Sequence, residues 1–572
     1  MADHHHKLAL LGNFTLDFLA RELGRQLEGR GYLAQMHLGG YNQYHQEILD
    51  PQSALYAMAP GLVLLLLDPH PFLGPAREAI LAGDDPAQVG SRLAAETLAL
   101  AAMAQQRLPR ATLLLSTFFL PPQETLPGLE FNTPHGLAPL VAAYNAALAA
   151  QAQADPRLRL LDMEGLLRWQ GAASLFDERL WIIGRIRFSR AGDQALARWL
   201  AASIYPLWGG TRKVLVLDLD NTLWGGVLGE EGPLGVKLGE EEMGLAYKEF
   251  QQGLAHLCRS GVILAVNSKN NPQDVEEIFR QNHQMALKSD HFAVKMINWS
   301  DKAANMREIA RRLNLGLDSL VFLDDNPAER ALIRQELPMV AVPEFPDDPA
   351  LLKTFLWEVA LDHFNRLSLT SEDLAKGEQY RIRGLTEELR DGATDLDQFL
   401  ASLEMRGRVR LLDGPSLARV AQLTQKTNQF NLTTRRYSEA QVLDMGQSER
   451  HRVFVLELDD KFGGHGLVGV IIAAQEQDRP ATWLMDTFLL SCRVIGRGAE
   501  DFFLALVGRY LRGLGATSLV GQYLPSAKNA QVAELYPRLG FSPLPGQDGR
   551  WTLDLATGGL QPPAWIAVEQ AP

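Results

Sequence analysis

Short apolar runs alternate with amphipathic stretches from residue 7 to about residue 205 of this chain. A run such as Leu62 to Leu67 is typical of a buried strand, whereas Leu16 to Glu28 has the period of an amphipathic helix. Further strands are predicted at Leu8 to Leu11, Ala111 to Phe119 and Leu158 to Asp162, and further helices at Arg92 to Leu108 and Pro139 to Gln153. The alternation predicts a parallel sheet with helices on both faces.

A second region of the same kind spans residues 211 to about 365. Its predicted strands are Val214 to Leu217, Val262 to Val266 and Leu320 to Leu323, and its predicted helices are Leu245 to Arg259 and Ala303 to Leu313. The stretch 366–404 is charged and helical in pattern, with Thr370 or Ser371 as a helix cap. We interpret it as a helical linker.

The last region, from about residue 405, alternates in polarity as hairpin strands do. Val453 to Leu458 and Gly466 to Ala474 predict a hairpin pair, and Trp483 to Leu490 predicts a further strand before a helix that begins at Ala499. The chain as a whole is therefore predicted to be α/β, with domains at 1–205, 206–365 and 405–572 and the linker at 366–404.

Composition narrows the possible partners. The formal net charge of -13 argues against a nucleic-acid-binding surface, which needs to be basic, and an acidic partner protein would need a local basic patch. The longest aliphatic run, Leu62 to Leu67, is far shorter than the roughly 18 residues of a membrane span. Two cysteines and no visible signal peptide predict a cytoplasmic protein without a disulfide framework.

Two carboxylates follow the predicted strand Val214 to Leu217. Asp218 and Asp220 stand at the end of this strand, which is where open α/β sheets place their sites. Neighbouring carboxylates repel each other when buried, and a divalent cation with oxygen ligands relieves that repulsion. The pattern favours a Mg²⁺ site.

The string DLDNT at 218–222 resembles the first motif of haloacid-dehalogenase (HAD) phosphotransferases. The resemblance implies that Asp218 is the nucleophile, that Asp220 is the general acid/base, and that Thr222 orients Asp220. Later strand ends match the other motifs, with Asn267 and Ser268 as substrate-binding residues and Lys302 as the catalytic lysine. The implied metal ligands are Asp218, Asp220, Asp324 and Asp325.

The amino-terminal region opens like an SGNH-type esterase, with a strand followed by Gly12 to Thr15. Such enzymes place a serine nucleophile there and a histidine near the end of the domain. This chain has no serine in Gly12 to Thr15 and has Arg187 near the expected position of the histidine. Because a hydroxyl nucleophile needs an adjacent base, we expect an SGNH-like domain without hydrolase activity.

The carboxy-terminal region resembles the GNAT acetyltransferase fold. Arg493, Gly496, Arg497 and Gly498 match its pyrophosphate loop, which precedes a helix whose positive end favours an anion. The stretch Asn529 to Phe541 resembles a later GNAT segment, and the resemblance implies that Asn529 helps to bind a pantetheine arm. The complete prediction is an SGNH-like α/β domain, a HAD-like Rossmannoid parallel-sheet domain and a GNAT-like mixed α/β domain.

The two cysteines differ in their surroundings. Cys258 lies late in a predicted helix and is expected to be an inert buried residue. Cys492 precedes two arginines and an anion-binding loop, which lowers a thiol's pKa, so we predict that Cys492 is nucleophilic. His465 is a candidate base for it. Position 464 in the same loop holds Gly, so the loop leaves open which acid would partner His465.

The longer string DNTLWGGVLGEEG, with KTNQFN at 426–431 and its Asn428, resembles the FkbH branch of the HAD superfamily. That resemblance implies transfer of a glyceryl group from 1,3-bisphosphoglycerate to an acyl carrier protein in polyketide biosynthesis. Cys492 would displace the acyl phosphate and Asp218, with Mg²⁺, would remove the phosphomonoester. The alternatives are a small-molecule HAD phosphatase with inactive flanking domains, or a scaffold without catalysis.

Overall fold

The computed structural model describes residues 4–121, 128–133, 135–368, 396–461, 463–491, 493–526, 528–556 and 560–572. The chain divides into two compact units, an amino-terminal unit (Met1–Leu207) and a carboxy-terminal unit (Trp208–Pro572). Parallel and mixed sheets covered by helices make it a multidomain α/β protein, as predicted. The predicted helix start at Thr370 or Ser371 lies outside the described residues. Among the described helices, none combines the length and apolar character needed to cross a membrane.

The amino-terminal unit is built on a five-stranded parallel sheet of order β2-β1-β3-β4-β5. Its strands are β1 (His4–Gly12), β2 (Tyr32–Leu38), β3 (Leu62–Leu66), β4 (Thr112–Ser116) and β5 (Leu158–Leu161). The central strand β3 is buried at every position, because helices cover both faces of the sheet. The helices are Asp17–Glu28, Tyr44–Leu49, Ala54–Met58, His70–Leu81, Pro86–Arg107, Leu129–Asn132, Ala138–Ala154, Met163–Gln170, Ala172–Leu175, Glu178–Gly184 and Arg190–Leu207.

The first sheet of the carboxy-terminal unit has four parallel strands in the order β8-β7-β6-β9. These strands are β6 (Val214–Leu217), β7 (Ile263–Ser268), β8 (Phe292–Ile297) and β9 (Leu320–Leu323). The surrounding helices are Leu228–Glu231, Glu242–Arg259, Pro272–Gln281, Lys302–Leu313, Pro327–Glu336 and Leu352–Val359, the last of which continues as a π-helix over Ala360–Phe364. The carboxyl ends of β6, β7 and β9 therefore lie side by side.

The second sheet of this unit has eight strands in the order β15-β16-β14-β13-β12-β11-β10-β17. They are β10 (Met405–Leu411), β11 (His451–Asp460), β12 (Gly463–Gln475), β13 (Thr482–Leu490), β14 (Ser518–Gln522), β15 (Ser542–Pro543), β16 (Arg550–Asp554) and β17 (Ile566–Gln570). All pairs are antiparallel except β13 with β14 and β10 with β17. The accompanying helices are Leu396–Ser402, Leu417–Lys426, Glu439–Gln447, Ala499–Gly513 and Leu535–Arg538.

In the eight-stranded sheet, the sequence analysis did not predict β10, β14, β15, β16 and β17. In the two parallel sheets it did not predict two strands, β2 and β8. Each is the edge strand of its sheet and is only partly buried. A half-exposed edge strand does not need a continuous apolar run, so the hydrophobic signal that identified β3, β6 and β9 is weak there.

Candidate functional site

The carboxyl ends of three adjacent strands bring the main polar cluster together. Asp218 follows β6, Ser268 ends β7, and Asp324 follows β9. The peptide N–H of Asp218 donates to the carbonyl of Leu323 at 3.0 Å, which holds the ends of β6 and β9 in register. Because the strands are parallel, residues that are more than 100 positions apart in the chain meet at one edge of the sheet.

Lys302 is the cation of this cluster. It is the first residue of the helix Lys302–Leu313, and only 3% of its side chain is exposed. Its Nζ lies 2.9 Å from Asp218 Oδ2 and 2.6 Å from Asp324 Oδ2. The second oxygen of Asp218, Oδ1, is buried and accepts no hydrogen bond from the described residues. Lys302 therefore fixes one carboxylate oxygen of Asp218 and leaves the other available.

Three carboxylates converge here with the geometry of a cation site. Asp218, Asp324 and Asp325 each offer one oxygen within 4.8 Å of the others. Burial, followed by the nearby charge of Asp218, raises the pKa of Asp324 to about 6 and also raises the pKa of Asp325. One lysine cannot neutralise three buried acids, and an all-oxygen donor set with an unsatisfied Oδ1 fits Mg²⁺. These residues could hold the ion.

The carboxylate of Asp220, which was predicted to be a metal ligand, is not among the three whose oxygens lie within 4.8 Å of one another. Its Oδ1 accepts hydrogen bonds from Trp224 Nε1 at 2.9 Å and from the N–H of Leu228 at 3.0 Å, and its Oδ2 accepts one from Asn270 Nδ2 at 3.0 Å. Burial is the main cause of a raised pKa for Asp220, opposed by these hydrogen bonds and increased by Asp218. A raised pKa suits a general acid.

Two predicted roles differ in the structure. Thr222 is fully buried, and its hydroxyl donates to Asp325 Oδ1 at 3.4 Å, so it does not orient Asp220. Asn267 is also fully buried, and its amide donates to the carbonyl of Lys302 at 2.9 Å and accepts from Asn305 at 3.1 Å. Asn267 therefore anchors the start of the lysine helix, and substrate binding by Asn267 stays a prediction. Side chains alternate along a strand, so Asn267 points away from the face that Ser268 occupies.

Sequence reasoning missed three positioning residues. Trp224 and Asn270 hold the Asp220 carboxylate, and the buried Arg330 donates to the carbonyls of Asp324 and Asp325 at 2.8 and 2.7 Å. Trp224 stands within the string DNTLWGGVLGEEG, and Asn270 follows the motif residue Ser268 by two positions. The only sequence signal for Arg330 is its place in the helix after the paired acids.

In the amino-terminal unit, a buried ion pair lies beside the SGNH-like opening segment Gly12 to Thr15. Arg187 Nε lies 3.2 Å from Asp68 Oδ2, with side chains 1% and 2% exposed. Asn13 exchanges hydrogen bonds with the backbone of Asp68, and the Thr15 hydroxyl donates to the carbonyl of Gly184 at 2.9 Å. The Thr15 hydroxyl is thus engaged with backbone and Arg187 with a carboxylate. The absence of hydrolase activity stays a prediction.

The glycine-rich loop after β13 leads into the helix Ala499–Gly513. Gly496 and Gly498 have φ of +78° and +79°, a conformation that glycine adopts freely, and Gly498 is the helix N-cap. The guanidinium groups of Arg493 and Arg497 point into the protein, with residue exposures of 2% and 6%. This differs from the expectation that these side chains meet a ligand phosphate, since each already has polar partners inside the fold.

Buried partners surround His465 in this part of the unit. His465 Nε2 lies 2.7 Å from Asp460 Oδ2, and Arg497 Nη1 lies 2.7 Å from the same oxygen. Asp460 was not identified from the sequence. Cys492, the predicted nucleophile, lies outside the described residues. Burial, with Asp290 nearby, raises the pKa of Cys258, as expected for an inert thiol.

Asn529, which was predicted to bind the pantetheine arm, and Asn428, a candidate site residue of the KTNQFN string, have partners within the protein. Asn529 is fully buried, and its amide donates to the carbonyls of Asn431 and Leu524, each at 2.9 Å. Asn529 therefore ties two loops together and does not face a ligand. The carbonyl oxygen of the Asn428 side chain accepts a hydrogen bond from Arg436 at 2.7 Å on the surface.

Comparisons with solved structures show a likeness in both sequence and structure. No protein-family model and no curated protein matches the chain. The N-terminal part of the protein BF1531 from Bacteroides fragilis, which contains a phosphatase domain and was crystallised with Mg, is 30% identical, with a TM-score of 0.59. The match covers 64% of this chain and 96% of that one. The chain therefore belongs to the same family of HAD-like phosphatase-domain proteins.

Smaller solved structures match a further part of the chain. The ribosomal-protein-S18-alanine N-acetyltransferase from Escherichia coli is 18% identical, and the match covers 27% of this chain and 96% of that one, with a TM-score of 0.21. The GNAT family N-acetyltransferase YhbS from Escherichia coli, solved in complex with CoA, is 15% identical over 29% of this chain and 91% of that one, with a TM-score of 0.20.

Proposed function

We propose that this chain, a relative of the BF1531 phosphatase part, is a Mg²⁺-dependent glyceryl transferase and phosphatase. It takes 1,3-bisphosphoglycerate, removes phosphate at the HAD-like site, and loads the glyceryl group as a thioester onto an acyl carrier protein, as FkbH-branch enzymes do in polyketide pathways. The observation that carries the phosphatase half is the contact of Lys302 with both Asp218 and Asp324 at the strand ends. A cytoplasmic location is part of the proposal.

The phosphatase step begins with the free oxygen of Asp218, which attacks phosphorus. Lys302 holds the other oxygen of Asp218 and offers a fixed positive charge to the transferring phosphoryl group. Ser268, at the end of β7, supplies a hydroxyl to the phosphoryl oxygens, and Asp220 gives a proton to the leaving group. Asp218, Asp324 and Asp325 would hold the cation, which would supply charge neutralisation that the single lysine cannot.

The acyl-transfer half uses different chemistry. The acyl phosphate of 1,3-bisphosphoglycerate is a mixed anhydride, so a thiolate can attack its acyl carbon and displace phosphate. The phosphomonoester is not activated in this way and needs the aspartate site. We assign the thiol to Cys492. The backbone N–H groups of the loop through Gly496 and Gly498, at the positive end of the helix Ala499–Gly513, suit the phosphate of a pantetheine arm.

Intact-protein mass spectrometry tests the proposal. The full chain is incubated with 1,3-bisphosphoglycerate, Mg²⁺ and a phosphopantetheinylated acyl carrier protein, and a glyceryl mass on the carrier is expected. Cys492→Ser should abolish loading, whereas Cys258→Ser, the matched control, should load normally because that thiol is partly buried with a raised pKa. Full loading by Cys492→Ser would refute the covalent route.

The second candidate is a small-molecule HAD phosphatase with two inactive flanking domains. The amino-terminal unit favours it, because Arg187 is buried in an ion pair with Asp68 and the Thr15 hydroxyl is bonded to backbone. The same incubation separates the two functions. Phosphate release without any glyceryl mass on carrier or enzyme would favour the simple phosphatase.

A further inference from the structure

A cavity lies between three helices of the amino-terminal unit. Its volume is about 380 Å³, within the range of roughly 300–1,000 Å³ that is typical of small-molecule sites. The lining comes from the helix Asp17–Glu28, from the helix Glu178–Gly184 with the segment after it, and from the first turn of the helix Arg190–Leu207. The HAD-like site belongs to the other unit, so its chemistry does not account for this cavity.

The walls of the cavity are held in place by contacts within the fold. The hydroxyl of Thr15 donates to the carbonyl of Gly184 at 2.9 Å, which ties the end of the helix Glu178–Gly184 to the segment before the first helix. The ring of Phe188 makes an edge-to-face contact with the ring of Phe14, with their centroids 5.4 Å apart. The cavity is therefore preformed, as small-molecule sites usually are.

One part of the lining is apolar. It consists of Phe18, Leu180, Ile186 and Phe188. Phe188 is buried, whereas 50% of Phe18 is exposed. A ligand with a hydrocarbon portion would remove more of this apolar surface from water, and that burial favours binding.

The charged part of the lining carries more arginines than acids. The arginines are Arg21, Arg25 and Arg190, and the acids are Glu22 and Asp193. Arg25 pairs with Glu22 at 2.9 Å. The guanidinium groups of Arg21 and Arg190 form no ion pair or hydrogen bond with the described part of the chain, although Arg21 lies 5.8 Å from the centre of the Phe18 ring. The lining therefore has an excess of positive charge and two guanidinium groups available to a ligand.

Asp193 is partly protonated at neutral pH. Burial, followed by the nearby charge of Glu22, raises its pKa to about 7, and its carboxylate has no hydrogen-bond partner among the described residues. The charged groups of the lining around it are Glu22, Arg21 and Arg25 from the first helix and Arg190 from its own helix, whereas the third wall is apolar. Protonation of Asp193 increases the excess of positive charge, and the protonated acid can donate a hydrogen bond. The cavity therefore favours a negatively charged ligand.

We propose that this cavity binds a small organic anion with an apolar body, in which Arg21 and Arg190 bind a carboxylate or phosphate head group and the apolar wall covers the hydrocarbon. Guanidinium groups bind both head groups through paired, charge-assisted hydrogen bonds. A cationic ligand fits less well, because the lining is already positive and Glu22 is already paired. The inference goes beyond the proposed function, since it gives the amino-terminal unit a binding role that needs neither the HAD-like site nor a thiol.

Isothermal titration calorimetry of the full chain with octyl probes tests the head group. Octanoate and octyl phosphate carry the two anionic head groups, octanamide is neutral, and octylamine is cationic. At pH 6 we expect both anions to bind at least about tenfold more tightly than octanamide or octylamine. Arg21→Gln and Arg190→Gln should each weaken binding of the anions at least about tenfold. Arg92→Gln is the matched control, since Arg92 lies outside the cavity and pairs with Asp84 at 3.6 Å.

The pH dependence of octanoate binding tests the part that Asp193 plays. Octanoate has a carboxyl group like that of a glutamate side chain, so it stays ionised from pH 6 to pH 8. An anion that binds only when Asp193 is protonated should lose about tenfold in affinity over this range, because a group with a pKa of about 7 loses its proton there. Asp193→Asn does not titrate, so the ratio of the affinities at the two pH values should fall to about one.

The comparisons among probes and variants decide the outcome. Equal binding of octanoate and octanamide, tighter binding of octylamine, or no binding of either anion would overturn the site. Unchanged anion affinity in both Arg21→Gln and Arg190→Gln would overturn it as well. Circular dichroism shows whether each variant is folded, and if one is not, the four probes on the parent protein decide the question. A pH dependence that persists in Asp193→Asn would refute the part of Asp193. Neither phosphate release nor carrier loading enters these measurements, so failure of the proposed function is distinguishable from failure of this site.

Discussion

Replacing Lys302 by Met removes a buried cation and keeps the length of the side chain. The ammonium group donates to Asp218 at 2.9 Å and to Asp324 at 2.6 Å, and Asp325 lies in the same group of oxygens. Hydrogen bonds to charged groups contribute about 1.5–3 kcal/mol each, and breaking a buried ion pair typically costs about 3–5 kcal/mol. We expect Lys302→Met to lower the free energy of unfolding by about 3–5 kcal/mol in metal-free buffer at pH 8.

The loss should depend on pH. The pKa of Asp324 is raised to about 6, chiefly by burial and also by Asp218, and Lys302 opposes that shift. Removing Lys302 therefore raises the pKa of Asp324 further, so the folded variant holds this proton more tightly than the unfolded chain does. Stability attributable to this proton is full only below the unfolded pKa, which is 3.8, and is lost as pH rises through and above about 6. The destabilisation of Lys302→Met should be smaller at pH 5 than at pH 8.

Differential scanning calorimetry of the full chain with EDTA or Mg²⁺ measures the effect. A shift of roughly 2–4 °C for each kcal/mol lost predicts that the unfolding transition of Lys302→Met is lower by roughly 6–20 °C in EDTA. Mg²⁺ should stabilise the variant more than the parent, because the ion then replaces the missing positive charge, while phosphatase activity falls at least about a hundredfold. Lys353→Met is the control, since Lys353 is 72% exposed and its pair with Glu249 should contribute at most about 1 kcal/mol. Equal transitions for the two variants in EDTA would refute the assignment.

Three further outcomes are expected. Activated short esters should not be hydrolysed by the amino-terminal unit, because Arg187 is paired and the Thr15 hydroxyl is bonded to backbone; a hydrolysis rate abolished by Thr15→Val would contradict this. Trp224→Phe should lower the phosphatase kcat about tenfold with little change in KM, because it removes one of the hydrogen-bond donors that hold the Asp220 carboxylate. Unchanged steady-state kinetics would contradict the positioning role of Trp224. Burial raises the pKa of Asp193 to about 7, so the stability that its proton contributes is lost as the pH rises from about 4 to 7. In urea unfolding, Asp193→Asn should therefore stabilise the amino-terminal unit by about 2 kcal/mol at pH 8 and by almost nothing at pH 4. Equal effects at both pH values would contradict the raised pKa.

The main strands and the HAD-like site could be read from the sequence for a local reason. Strands β3, β6 and β9 are buried on both faces, so each needs a continuous apolar run, and such runs are visible without tertiary information. A parallel sheet brings the carboxyl ends of its strands to one edge, so Asp218 and Asp324 could be expected to meet once β6 and β9 were recognised. The resemblance to HAD phosphotransferases then assigned Lys302 to the same place.

What tertiary structure alone decided is the direction and partner of each side chain. The sequence could not show that Asn267 and Asn529 face inward and bond to backbone, because residue type and strand end are the same for an inward and an outward asparagine. Nor could it show that Arg497 is neutralised by Asp460, since that contact joins residues 37 positions apart and depends on how the loop folds back onto β11. Apolar periodicity indicates which positions are buried. The pairing of buried polar groups is set by long-range packing, as the contact of Arg497 with Asp460 shows.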